Sequence, residues 1–171
     1  MTATTRMVTR GDAPEMAEVL RANRDFLAPW EPARGDGYFT EPGQRLVVDD
    51  MLRQWGLGAT LPHVIVEDGR IVGRIALSNI VRGPFLSASL GYWVAADANG
   101  RGIATAAVGR IVRLAFGELG LHRVEAGTLT HNIASQRVLE RNGFRRYGLA
   151  PGYLRIAGEW RDHVLYQVLA D

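Results

Sequence analysis

The sequence predicts a mixed α/β fold, a mostly antiparallel twisted sheet flanked by helices, and three observations predict it. Two β-rich runs flank Asp68-Gly69 in "HVIVEDGRIVGRIALSNI", a strong hairpin signal. A helix with one apolar stripe separates the strand ending near Val94 from the strand around Glu125, which makes those strands parallel neighbours. The chain then closes on two more β-rich runs joined by "AGE".

The elements follow in order. Thr4 to Val8 reads as a first strand. Asp12 stands as an N-cap, with Glu15 at capping-box spacing. Met16, Val19 and Leu20 continue at helical spacing until Asn23 interrupts the stripe. Phe26 to Pro42, "FLAPWEPARGDGYFTEP", is irregular, rich in Pro and Gly, and aromatic. Thr40 caps a helix from Glu41 to about Trp55, ended by Gly56. Ser87 to Val94 adds a third strand to the hairpin. The helix from about Arg101 to Phe116 turns Ile103, Ala104, Ala107, Val108, Ile111, Val112 and Ala115 to one side. "HRVEAGTL" is a strand, Asn132 to Asn142 a short helix closed by Gly143, and Arg145 to Ile156 with Arg161 to Leu169 the final pair. This order is not that of a doubly wound Rossmann sheet.

A length of 171 residues suits one domain, residues 1–171, with a sizeable core. There is no cysteine, which excludes disulfides, thiolate metal sites and thiol nucleophiles. All 20 basic residues are arginine, so neither a lysine Schiff base nor a P-loop lysine is available. The arginines are dispersed and the net charge is only +2, so no direct nucleic-acid partner is expected. The opening "MTATTRMVTR" lacks the apolar core of a signal peptide, and no run has the length of a membrane span. A cytoplasmic protein without membrane partners, monomer or homodimer, is expected. His63, His122, His131 and His163 show no metal-ligand spacing, so no metal is expected.

The chemistry concentrates in "YWVAADANGRGIATAAVGRIV", Tyr92 to Val112. Gly100 and Gly102 sit where a strand hands over to a helix. Such a junction lets backbone N–H groups approach an anion at a helix N-terminus, with the Arg101 guanidinium adding charge; the glycines could equally serve a tight turn alone. Thr105 stands where a dinucleotide fingerprint has its third glycine. Downstream, Asn132 and Ser135 open the short helix, where Asn132 is a natural cap.

"NGRGIA" resembles the acetyl-CoA signature of the GNAT acyltransferase superfamily: Gln or Arg, two residues, Gly, one residue, Gly or Ala. Gly102 and Ala104 fit, and Asn99 departs from Gln or Arg. "HNIASQRVLERNGF" is similar to the second signature through Asn132, Ser135, Leu139, Gly143 and Phe144. "NRDFLAPWEPARGDGYF", "LSNIVRGPF" and "AGEWRDHVLY" resemble segments of the bacterial ribosomal-protein-alanine N-acetyltransferases, the RimJ and RimL group.

The resemblance implies a GNAT fold whose sheet splays between two parallel neighbouring strands, Tyr92–Val94 and the strand from Arg123. It implies acetyl-CoA as co-substrate. The pantetheine arm would pair with Tyr92, Trp93 and Val94 like an added strand, and the pyrophosphate would rest on Asn99, Gly100, Arg101, Gly102, Ile103, Ala104 and Thr105, with Arg137 or Arg141 near the outer phosphate. Asn132 would touch the pantetheine. Ser135 would lie near the thioester sulfur, where a hydroxyl can donate to the departing thiolate. The glutamates that serve as base in similar enzymes do not map, since Ala96 and Gly127 hold their places; Asp97 is a neighbour of the first.

A site without an evident base suits an α-amine, with a pKa of about 7.7–8.0, better than a lysine at about 10.4. The acceptor implied first is the N-terminal alanine of a ribosomal protein. A small amine such as a polyamine, an antibiotic or an amino-acid analogue is the alternative, and a non-catalytic CoA-binding or ribosome-assembly module the third reading. Transfer would be direct, because no cysteine can carry the acyl group. Trp30 and Phe39 in the aromatic segment, Asn79 at a strand end, and Trp160 and Asp162 beside Arg161 are candidate acceptor contacts.

Overall fold

The computed structural model describes residues 3–170. The strands are β1 (Ala3–Met7), β2 (Leu61–Glu67), β3 (Arg70–Val81), β4 (Ser87–Val94), β5 (Arg123–Leu129), β6 (Arg145–Ile156) and β7 (Glu159–Leu169). The helices are α1 (Ala13–Ala22), α2 (Arg24–Leu27), α3 (Glu41–Gly56), α4 (Ile103–Gly117) and α5 (Ile133–Arg141). One sheet runs β1-β2-β3-β4-β5-β7-β6. Every pairing is antiparallel except β4 with β5, the two strands that α4 connects. Among the described residues no helix is long and apolar enough to cross a membrane.

Alternation along β2 explains the layers. Ile65 joins Ile75, Ile103, Val108 and Ile111 beneath α4, whereas its neighbour Val64 joins Met16, Val48 and Ile71 beneath α1 and α3. Successive strand side chains point to opposite faces, so a central strand covered on both sides is buried throughout, as Leu61 to Ile65 are. Both tight hairpins take positive φ at two successive residues, Asp68-Gly69 and Ala157-Gly158, the requirement of a type I′ turn.

Three details depart from the sequence reading. Asp12 does not cap α1 with Glu15 as its partner. Its carboxylate accepts from both Arg6 guanidinium nitrogens at 2.8 Å and from the Thr9 N–H at 2.7 Å, closing the box one turn earlier. A bidentate charged pair outcompetes a neutral cap. Glu15 instead accepts from the Ile71 N–H at 2.8 Å and ties α1 to β3. Helix α4 starts at Ile103 rather than Arg101, because Gly102 is left-handed at φ 79°. The segment from Phe26 to Pro42 is partly ordered by α2 and a 3-10 turn at Asp36–Phe39. Gln44, fully buried, donates to the Tyr38 carbonyl at 2.6 Å, and Gly43 is needed because a Cβ there would lie 1.9 Å from the Gly37 carbonyl oxygen.

The feature that makes a site is a short pairing. β4 and β5 match only at Ser87–Arg123, Ala88–Val124 and Ser89–Glu125. Beyond Ser89, β4 stays with β3 as far as Val94, and β5 stays with β7 as far as Leu129. The sheet therefore splays into a V, and among the described residues the inner edge of β4 from Leu90 onward has no strand partner.

Candidate active site

Beyond the split, the start of α5 reaches β4 at Tyr92. Asn132 caps that helix, its Oδ1 accepting the Ser135 N–H at 3.2 Å. The cap holds Ser135 opposite β4, where its Oγ lies 2.7 Å from the Tyr92 hydroxyl. Burial pushes the Tyr92 phenol up to about 12, against the Ser135 bond that lowers it, so it stays protonated at neutral pH. Two hydroxyls sharing one hydrogen bond leave one O–H to give elsewhere.

Two hollows meet at this pair. A groove of about 370 Å³ on the α4–α5 side is lined by Phe26, Val94, Asn99, Ala104, Ala134 and Val138. A cavity of about 530 Å³ on the other side is lined by residues that include Glu31, Arg34, Arg74, Ser78, Gly91, Thr128, Leu154, Ile156 and His163. Leu27, Trp30, Tyr92, Trp93, Asn132 and Ser135 line both. The groove has no charged side chain in its wall; the cavity has several. Trp93 Nε1 and Thr128 Oγ1 are buried polar atoms without a partner among the described residues, and such atoms cost stability unless something bonds them.

The loop after β4 is fastened from within. Asn99 Nδ2 donates to the Val94 and Ala95 carbonyls at 3.1 and 2.8 Å, and Asn23 Oδ1 accepts the Ala96 N–H at 2.8 Å. Gly100 and Gly102 are left-handed, and a Cβ on either would meet nothing within 4 Å. The space beside these two glycines is open, and the first turn of α4, whose N–H groups have no intrahelical acceptor, follows directly. Arg101 pairs with Glu67 at 2.7 Å.

The predicted residues fall into three groups. Tyr92, Trp93, Val94, Asn99, Ala104, Asn132, Ser135 and Trp30 gather on the groove. Gly100, Arg101, Gly102, Ile103 and Thr105 follow in the loop and first turn of α4, with the Ile103 side chain directed into the core. Phe39, Asn79, Trp160 and Asp162 do not line the V. Phe39 lines a neighbouring hollow of about 250 Å³. Asn79 is exposed at φ 50° beside a bulge, and Ser78 takes the cavity wall instead. Trp160 is 68% exposed, and Asp162 turns away to accept the Gly152 N–H at 2.8 Å; from this hairpin it is Leu154, Ile156 and His163 that reach the cavity. Asp97 opens onto a separate acidic hollow with Glu15, Glu18 and Glu67.

Sequence reasoning missed Glu31 and the Tyr92 hydroxyl. Burial pushes the Glu31 carboxyl above its usual range, with Arg74 and Arg34 pulling the other way. An acid between Trp30 and Pro32 in an aromatic segment was the available signal.

A family model described as "Acetyltransferase (GNAT) domain" matches residues 4–145. The chain is 37% identical over 160 residues to the Bacillus subtilis (strain 168) protein named "Probable N-acetyltransferase YjcK", spanning 92% of this chain and 88% of that one. It is 34% identical over 162 residues to the [Ribosomal protein uS5]-alanine N-acetyltransferase of Escherichia coli (strain K12), spanning 94% and 84%. It superposes on Mycobacterium smegmatis RimJ in complex with CoA-disulfide with a TM-score of 0.95 and 35% identity, covering 98% of this chain and 82% of that one.

Proposed function

The chain belongs to the GNAT acetyltransferase family and is an N-acetyltransferase, and from that premise we propose that it transfers acetyl from acetyl-CoA to the N-terminal α-amine of a protein, the alanine of a ribosomal protein first among acceptors. The observation that carries this reading is the junction at Tyr92 and Ser135 of an uncharged groove with a charged cavity. The support for CoA is that a relative at 35% identity holds a CoA-disulfide and that the residues present fit the group. The unpaired edge of β4 offers backbone partners for amides, the buried Trp93 N–H lacks an acceptor among the described residues, and the open space beside Gly100 and Gly102, just ahead of the N-terminus of α4, suits a phosphate.

Acetyl-CoA supplies the activated acyl group. The chain's part is placement and charge. Tyr92 and Ser135 hold one spare O–H beside the place where thiolate charge would develop, which lowers the barrier without a covalent enzyme species. Asn132 fixes Ser135 by capping α5. The whole of residues 1–171 acts as one domain in this reading, and a ribosomal acceptor places it in the cytoplasm.

Purified protein, acetyl-CoA and three acceptor sets test the proposal by mass spectrometry. These are an alanine-starting peptide with an internal lysine, the same peptide with a blocked N-terminus, and a panel of polyamines and amino acids. Acetylation of the α-amine alone is expected. Robust acetylation of the blocked peptide at lysine, or activity on small amines only, overturns the acceptor assignment and leaves the family intact.

A further inference from the structure

We propose that Glu31 receives the acceptor amine and takes its proton. The inference rests on the reading of the cavity between the 30–34 segment and β7 as the acceptor side. Among the described residues Glu31 supplies the one carboxylate in the wall of that cavity. Its main chain is fixed, the Glu31 carbonyl accepting the Ala157 N–H at 3.0 Å, which pins the Trp30–Pro32 turn over the β6–β7 hairpin. Its side chain, by contrast, has no hydrogen bond or ion pair among the described residues. A half-buried carboxylate held in place by its backbone, yet with nothing bonded to its oxygens, is a site for a donor from outside.

The surrounding charges favour proton loss from that donor. Arg34 and Arg74 line the same cavity, with Tyr92 and His163, while Arg24, which shares the neighbouring hollow with Glu31, is paired to Asp36 at 2.6 Å. Guanidinium groups near a bound ammonium lower its pKa. Burial raises that of Glu31, with Arg74 and Arg34 opposing. Both effects narrow the gap between proton donor and acceptor, which is the condition for efficient general-base catalysis.

The step balances. One proton passes from the ammonium to a Glu31 carboxylate oxygen. The freed nitrogen lone pair forms the N–C bond to the acyl carbon, and the C–S bond breaks with its electron pair on sulfur. As the amide forms, the nitrogen's second proton passes through the Tyr92–Ser135 hydroxyls to the thiolate, which leaves as the thiol and returns both hydroxyls to their starting state. Glu31 then releases its proton to solvent.

The test compares kcat/KM for the acceptor from pH 6 to 9 in the wild type, Glu31→Gln and Glu31→Asp, with acetyl-CoA affinity measured by calorimetry. The wild type should be flat between the Glu31 pKa and that of the amine. Glu31→Gln must wait for neutral amine from solution. Its rate should therefore climb about tenfold per pH unit up to the amine pKa near 8, from a loss of about a hundredfold at pH 6. Acetyl-CoA affinity should stay within about twofold, against the ~10-fold that 1.4 kcal/mol of lost binding would produce. A loss equal at every pH, or no loss, overturns the proposal. If Glu31→Gln does not fold, Glu31→Asp decides: a lower rate with the flat profile of the wild type supports proton acceptance, and an unaltered rate overturns it. The acceptor used is whichever amine the wild type acetylates. A small amine in that role sinks the ribosomal reading, while the pH comparison still decides Glu31.

Discussion

The two sides of the splay differ in charge and in construction. The groove is walled by Val94, Ala104, Ala134 and Val138 from β4, α4 and α5 and has no charged side chain. The cavity takes Glu31 and Arg34 from an irregular segment, Arg74 from β3 and His163 from β7. A neutral, extended arm matches the first, because burying it there leaves no charge unpaired. In the proposed reaction the second suits an amine that sheds its charge on entry, since Arg34 and Arg74 outnumber the Glu31 carboxylate. Regular elements supply most of the groove, whereas the cavity joins strand residues to the irregular segment that carries Glu31 and Arg34; in the proposed reaction that segment is what an acceptor must fit.

Removing the group that serves both sides should have the largest effect of the substitutions that sharpen this contrast. Ser135→Ala breaks the 2.7 Å bond to the Tyr92 hydroxyl and leaves the Tyr92 O–H without the partner that orients it beside the place where thiolate charge would develop. Turnover should fall on the order of a hundredfold, with a smaller rise in the apparent constant for acetyl-CoA. Steady-state kinetics at saturating acceptor decides this. Wild-type turnover would reduce Ser135 to the cap it shares with Asn132, and the meeting point of the two hollows would carry no chemistry.

The same division governs what the sequence could reveal. The boundaries of β4 and the apolar stripe of α4 are local patterns, readable because neighbouring residues decide them. The parallel pairing followed from the crossover, since a helix between adjacent strands leaves no other geometry. How soon β4 and β5 part was beyond local pattern, because it is set by the competing registers with β3 and β7. Glu31 was illegible for a related reason. Its position depends on an N–H from Ala157, and its segment is held by Gln44 and by the close approach of Gly43 to Gly37, contacts that no periodicity announces. The misplaced capping box has a similar origin, since the Arg6 that takes Asp12 lies on the adjoining strand.

A second substitution tests the groove alone. Gly102 is left-handed at φ 79°, and valine there carries roughly 1–2 kcal/mol of strain. A free loop can relax that strain, but a loop gripping a phosphate cannot, and the branched side chain also blocks close backbone approach. Gly102→Val should weaken acetyl-CoA about tenfold or somewhat more, with acceptor selectivity among bound enzymes unchanged. Calorimetry on a folded variant measures it. Equal affinity would mean that the glycines serve only the turn into α4, and the contrast between the hollows would lose its phosphate end.

The smallest effect is expected from Trp160, and it probes how far the acceptor side extends. Its sequence position in "AGEWRDH" marks it as a rim residue, yet it is 68% exposed and lies outside the cavity wall, and Asp162 is occupied by the Gly152 N–H. A short acceptor that ends inside the cavity has nothing to touch at Trp160. Truncation of an exposed side chain without such contacts changes free energies by less than about 0.5 kcal/mol. Trp160→Ala should therefore leave kcat/KM for a tripeptide within about twofold of the wild type. The informative comparison is a tripeptide against a peptide of a dozen residues sharing the same first three. A loss confined to the longer acceptor would place the rim on the outer face of the β6–β7 hairpin. A tenfold loss on the tripeptide would mean that the hairpin moves over the cavity when an acceptor binds, so that the charged side then exceeds the hollow of about 530 Å³.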